Sequence, residues 1–152
     1  MPSKIFVAYD RSDTADRALA WAIEEQQRSG CALRVVEVFD PNPLETAVLP
    51  VPPAVTDAAL REARDELAKS VAARGATASV DLLLARRPGP ALLEAAQQWG
   101  ADLIVVGTHG RTGIARVVLG SIAEYLVRHA DCAVVSLRGG PEQREVAVPG
   151  LL

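Results

Sequence analysis

Residues 101–138 read ADLIVVGTHGRTGIARVVLGSIAEYLVRHADCAVVSLR. The apolar run that ends at Gly107 reads as a buried strand, Glu124 to His129 lie in a helix, and residues 132–138 read as a further strand. Strands joined through a helix usually run parallel, because a parallel pair needs a crossover and an antiparallel pair only a hairpin. Between the first strand and the helix stand four glycines, Gly107, Gly110, Gly113 and Gly120. Glycine loses more backbone freedom on folding than any other residue, so their presence asks for a physical reason.

The same alternation runs through the rest of the chain. Residues 4–10 (KIFVAYD), 32–39 (ALRVVEVF) and 78–85 (ASVDLLLA) are short β-rich runs. Ala15, Ala18, Leu19, Ala22 and Ile23 recur at helical spacing, with Ser12 or Asp13 available as a cap and Gly30 as a stop. Residues 55–74 place Leu60, Ala63, Leu67 and Val71 on one face, and Gly75 ends that helix. RPGP at 87–90 turns the chain into a helix carrying Leu92, Ala95, Ala96 and Trp99. The order β-α-β-α-β-α-β-α-β predicts an α/β fold with helices on both faces of a parallel sheet.

Composition limits what such a domain does. The chain has 152 residues, enough for one domain, expected over residues 1–140, and the Gly-Gly-Pro start of the tail suggests that 141–152 leave it. A net charge of −3 and an aromatic content of 4% argue against a nucleic-acid surface. No apolar run approaches the ~20 residues of a membrane span, and the start lacks a signal-peptide pattern, so a cytoplasmic location is expected. Cys31 and Cys132 have no metal-ligand spacing and read as small packed thiols. Residues 40–53 hold five prolines and form a long loop, either a lid or contact surface or a passive connector.

Ligands of open parallel sheets bind beyond the carboxyl ends of the strands, where strand order reverses. Gly107 sits at such an end. Ser121, with Glu124 three residues on, matches a capping box, so a helix is expected to start at Ser121 and to offer its first amides to an anion. Gly120 leaves that helix end uncovered, and Arg111 and Arg116 would add positive charge. The glycines read equally as ordinary turn residues. A Walker A loop is excluded, since Lys4 and Lys69 are the only lysines and neither is near. A Rossmann fingerprint is excluded too, since the first strand runs into YDRSD with no glycine.

Taken together, residues 100–138, the IFVAYDRSDTADRALAWA segment at 5–22 and RPGPALLEAAQQWGADLIVVG at 87–107 resemble the universal stress protein family. Its ATP-binding members carry G-x2-G-x9-G-[ST], which Gly107, Gly110, Gly120 and Ser121 match in every spacing. The resemblance implies strand order 3-2-1-4-5, a switch point between the first and fourth strands, and ATP with Mg2+ as the bound group. It implies that Asp10 and Val38 hold the adenosine end. Gly107, His109, Gly110, Gly120, Ser121 and Ile122 would hold ribose and phosphates, mostly through backbone amides. It further implies a homodimer through the last strand, Ala133–Leu137. The chain departs from the family at Arg11, where glycine is frequent in a DGS sequence, and at Ala133, where proline is usual.

His109 would need a nucleophile and an orienting group to act as a base, so a backbone or ribose contact is the expectation. Asp10 is expected to touch ligand, with capping of the first helix as its structural alternative. Glu24 and Glu25, like Glu62, Asp65 and Glu66, read as solvated helix faces. The expected function is an ATP-binding regulatory module that presents a nucleotide-dependent surface to a protein partner. The alternatives are a slow ATPase or autophosphorylating protein with Ser121 or a nearby hydroxyl as acceptor, and a stress-related dimer that binds no nucleotide. With no P-loop lysine, base or acidic metal pair in the sequence, efficient turnover is not expected.

Overall fold

The computed structural model describes residues 1–40, 57–108 and 119–138. The elements are β1 (Lys4–Tyr9), α1 (Asp13–Ser29), β2 (Ala32–Phe39), α2 (Asp57–Ala73), β3 (Ala78–Leu84), α3 (Pro88–Trp99), β4 (Leu103–Gly107), α4 (Ser121–His129) and β5 (Ala133–Leu137). The five strands form one sheet in the order β3-β2-β1-β4-β5, every pair parallel. Fold class, strand order and switch point are those expected from the sequence. The 40–53 loop and the 141–152 tail fall almost wholly outside the described residues.

The central strand explains the layering. Ile5, Phe6 and Val7 are fully buried, as a strand covered on both faces must be. Alternation sends Ile5 and Val7 toward α1 and α2, where they meet Leu19, Leu67 and Val71. Phe6 and Ala8 point the other way, onto Leu92, Ala96, Ala123 and Leu126 of α3 and α4. Burial of each large apolar side chain contributes about 1.5–3 kcal/mol, so these two layers are the main source of stability.

One helix start differs from the local reading, and one settles a choice between Ser12 and Asp13. Pro88 and Pro90 lie inside the first turn of α3, not before it. The first-turn amides have no intrahelical acceptor, so proline loses nothing there. In α1, Ser12 is the cap, and its hydroxyl accepts the Ala15 amide at 3.2 Å. Glu25, expected on a solvated face, is buried and paired with Arg28 one turn on. Cys31 is buried and Cys132 half-buried, both as free thiols. Among the described residues no helix is long and apolar enough to cross a membrane.

Candidate functional site

β1 and β4 are neighbours whose helices pack on opposite faces of the sheet, so a cleft opens beyond their carboxyl ends. Asp10, Val38, Gly107, Gly120, Ser121 and Ile122 all line it. They come from the ends of three strands and the start of α4, spread over more than one hundred positions of sequence. The other two residues singled out from the sequence, His109 and Gly110, lie outside the described residues, as do Arg111 and Arg116. The enclosed space is about 170 Å³, smaller than the roughly 300–1,000 Å³ of a site that surrounds a whole small molecule. Apolar walls come from Ala8, Pro88, Leu92 and Val106. None of these four was among the site residues read from the sequence, although the i, i+4 spacing of Pro88 and Leu92 puts them on one helix face.

Asp10 is held at the mouth by the turn that follows it. Its Oδ1 accepts the Ser12 amide at 3.0 Å. Arg11, between them, has a φ of 64°. That is the left-handed region, which costs an ordinary residue about 1–2 kcal/mol and glycine almost nothing. Arg11 Nε donates to both carboxylate oxygens of Glu37, at 3.1 and 3.0 Å. Glu37 is 1% exposed, a buried carboxylate of β2 that no local pattern in the sequence had marked.

Tyr9 also lines the cleft. Its phenol donates to Asp16 Oδ1 at 2.7 Å, and Arg74 donates to the same oxygen at 2.8 Å. Burial, then the hydrogen bond to Asp16 and the charge of that carboxylate, push the Tyr9 pKa up to about 12. The group therefore stays a neutral donor at physiological pH.

The opposite wall is built from Gly107, Thr108, Gly120, Ser121 and Ile122. Thr108 donates its amide to Leu137, and its carbonyl accepts the Gly120 amide, which ties the end of β4 to the start of α4. Gly120, not Ser121, is the N-cap residue, with φ −68° and ψ 156° and no side-chain cap hydrogen bond. The helix begins at Ser121 as expected, but the capping box is not formed. The Glu124 amide is taken by the Gly120 carbonyl at 2.8 Å. Glycine at the cap places no side chain of its own over the first turn of α4, which faces the cleft through Ser121, Ile122 and Ala123. Gly107 has a separate reason to be glycine: a Cβ there would stand 2.5 Å from Thr14 Oγ1. The glycine permits the end of β4 to meet the start of α1.

The model of the universal stress protein family matches residues 1–138. The chain belongs to the universal stress protein family. A curated relative, the universal stress protein in the QAH/OAS sulfhydrylase 3′ region of Thermus aquaticus, is 37% identical over 134 residues, covering 88% of this chain and 97% of the relative. A universal stress protein from Archaeoglobus fulgidus, solved in complex with dAMP, is 26% identical with a TM-score of 0.61, covering 88% of this chain and 96% of that one. Another universal stress protein, solved in complex with cAMP, is 29% identical with a TM-score of 0.61, covering 90% and 96%. The left-handed φ at Arg11 is a conformation that glycine would adopt without strain.

Proposed function

We propose that this universal stress protein is an adenine-nucleotide-binding regulatory module, with ATP and Mg2+ as the bound group. The observation that carries the reading is the convergence of Asp10 and Val38 on one side, and Gly107, Gly120, Ser121 and Ile122 on the other, around one cleft at the switch point. The relatives solved with dAMP and cAMP support adenine nucleotide as the ligand class.

The residues fit that ligand in a definite orientation. Asp10 and Val38 take the adenosine end, against the apolar wall of Pro88 and Leu92. The amides at the start of α4 take phosphate, as first-turn amides and the positive end of a helix dipole do. His109 and Gly110 belong to the same phosphate side by the spacing of the motif. The enclosed space holds the nucleoside portion, and the phosphates lie toward its open side. Mg2+ would ride on the phosphates with water completing its shell, since among the described residues no group of three His, Cys, Asp or Glu is placed to hold a metal.

Binding, with little turnover, is the proposed role. Asp10 is the one carboxylate in the described lining, and the Tyr9 phenol is held protonated. β5 ends the sheet on one side, with Val134, Val135 and Leu137 half-buried. Pairing of two copies along this edge would cover it, and we assign a homodimer through Ala133–Leu137 on that ground. Residues 1–140 act as the nucleotide domain and 141–152 as a tail outside it.

Mass spectrometry of small molecules released from the purified protein, followed by calorimetry with MgATP, tests the reading. Released or titrated adenine nucleotide supports it. A protein that carries none and gives no heat with ATP, ADP, AMP or cAMP contradicts it.

A further inference from the structure

Arg11 is one residue beyond Asp10 and one before the α1 cap, and the backbone it adopts is one that arginine disfavours. Its support comes from distant parts of the chain. Tyr9 pairs in register with Glu37, so the sheet brings the Glu37 carboxylate level with the start of the turn. Arg11 Nε then meets both oxygens of that carboxylate, and its Nη1 lies 3.9 Å from Glu66 of α2. Glu37 is buried while the Arg11 side chain is 39% exposed. The pair is therefore a bidentate contact between a partly exposed guanidinium and a buried carboxylate, a geometry that fixes the direction of the Arg11 side chain.

The same turn sets Asp10. The Ser12 amide that Asp10 accepts belongs to the peptide between Arg11 and Ser12. Relaxation of Arg11 to negative φ would rotate that peptide and withdraw the amide from the carboxylate. We propose that Glu37, acting through Arg11, is a positioning residue for Asp10 and so for the adenosine end of the ligand. The inference rests on the nucleotide reading of the cleft. The pair does here what a glycine does unaided, and it couples the site to β2 and α2.

Two ligands and four variants test it. Glu37→Gln keeps the shape and removes the charge. Its affinity for ATP is expected to fall about tenfold, within the range set by the left-handed preference, while inorganic tripolyphosphate binds as to the wild type. Arg11→Ala, which keeps the strain without the pair, shows the same selective loss. Arg11→Gly and Arg11→Gly/Glu37→Gln bind ATP as the wild type does, because glycine needs no support. Amide exchange at Ser12 rises in Glu37→Gln and Arg11→Ala and returns to the wild-type rate in both glycine variants.

Equal ATP affinity and equal Ser12 exchange for Arg11→Ala and Arg11→Gly would overturn the proposal. So would a loss of tripolyphosphate binding in proportion to ATP, or a glycine double variant as weak as Glu37→Gln. A wild-type chain that binds no adenine nucleotide would overturn the nucleotide reading instead, and Ser12 exchange would still decide the turn.

Discussion

Thr14 occupies the space into which any side chain at Gly107 would grow. A Cβ on Gly107 would stand 2.5 Å from Thr14 Oγ1, 2.7 Å from the Thr14 carbonyl carbon and 2.8 Å from the Ala15 amide nitrogen. Two of those three atoms are backbone, so the clash cannot be relieved by a rotamer. Gly107→Ala is expected to destabilise the protein by about 1–3 kcal/mol, the usual cost of overpacking a filled site. Urea unfolding measures it, and adding Thr14→Ala should restore only a minor part. A Gly107→Ala protein as stable as the wild type would show that the start of α1 is free to move.

Gly89 plays a comparable part between α3 and α4. A Cβ there would lie 2.9 Å from both Cγ and Cδ1 of Tyr125. Gly89→Ala should cost about 1–3 kcal/mol in the wild type. In a Tyr125→Ala background most of that cost should be lost, with only the Cβ of residue 125 still close at 3.1 Å, a coupling that a double-mutant cycle reads directly.

The Tyr9 phenol sets a pH dependence at the alkaline end. Its pKa is raised by burial and by Asp16 from 10.0 to about 12, so the fold favours the neutral form. Its contribution is complete below the unfolded pKa of 10 and is lost as pH rises through 12. Tyr9→Phe removes the hydrogen bond and should cost about 1 kcal/mol near neutrality. The gap in Tm between wild type and Tyr9→Phe should narrow as pH rises from 10 to 12. A gap that stays constant over that range would contradict the assignment.

The strands and helices were legible because each carries its own period. Alternate faces of β1, the Ala15 to Ile23 stripe and the Gly30 stop are local signals, and the elements start and end within about two residues of their expected places. What the sequence hid depends on partners far away in the chain. Glu37 looks like any solvent-facing glutamate until the sheet places it beside Arg11. Gly107 looks like a loop glycine until α1 packs over it. Ser121 matched a capping pattern, but Gly120 took the cap position, because the Thr108 carbonyl holds its amide and starts the helix there. Six of the eight candidate site residues meet at one cleft, since motif spacing and the switch-point rule both refer to strand ends. His109 and Gly110 fall outside the described residues.

Assembly offers an independent check on the edge strand. Light scattering at tens of micromolar, order of magnitude, should give the mass of a dimer, and Val135→Asp on β5 should shift it to monomer. A wild-type monomer at that concentration would remove the role assigned to β5.

The central claim is that the glycine-capped start of α4 receives phosphate, and Gly120→Asp tests it most directly. Gly120 has the extended φ and ψ of an ordinary N-cap, and aspartate is among the best cap residues, better than glycine by a few tenths of a kcal/mol. The variant should therefore fold at least as well as the wild type, with its carboxylate on the first amides of α4. That carboxylate occupies the phosphate position and repels it. Calorimetry should show no ATP binding by a Gly120→Asp protein whose urea midpoint equals or exceeds that of the wild type. A folded Gly120→Asp protein that binds ATP as tightly as the wild type would contradict the account and leave the glycines as turn residues.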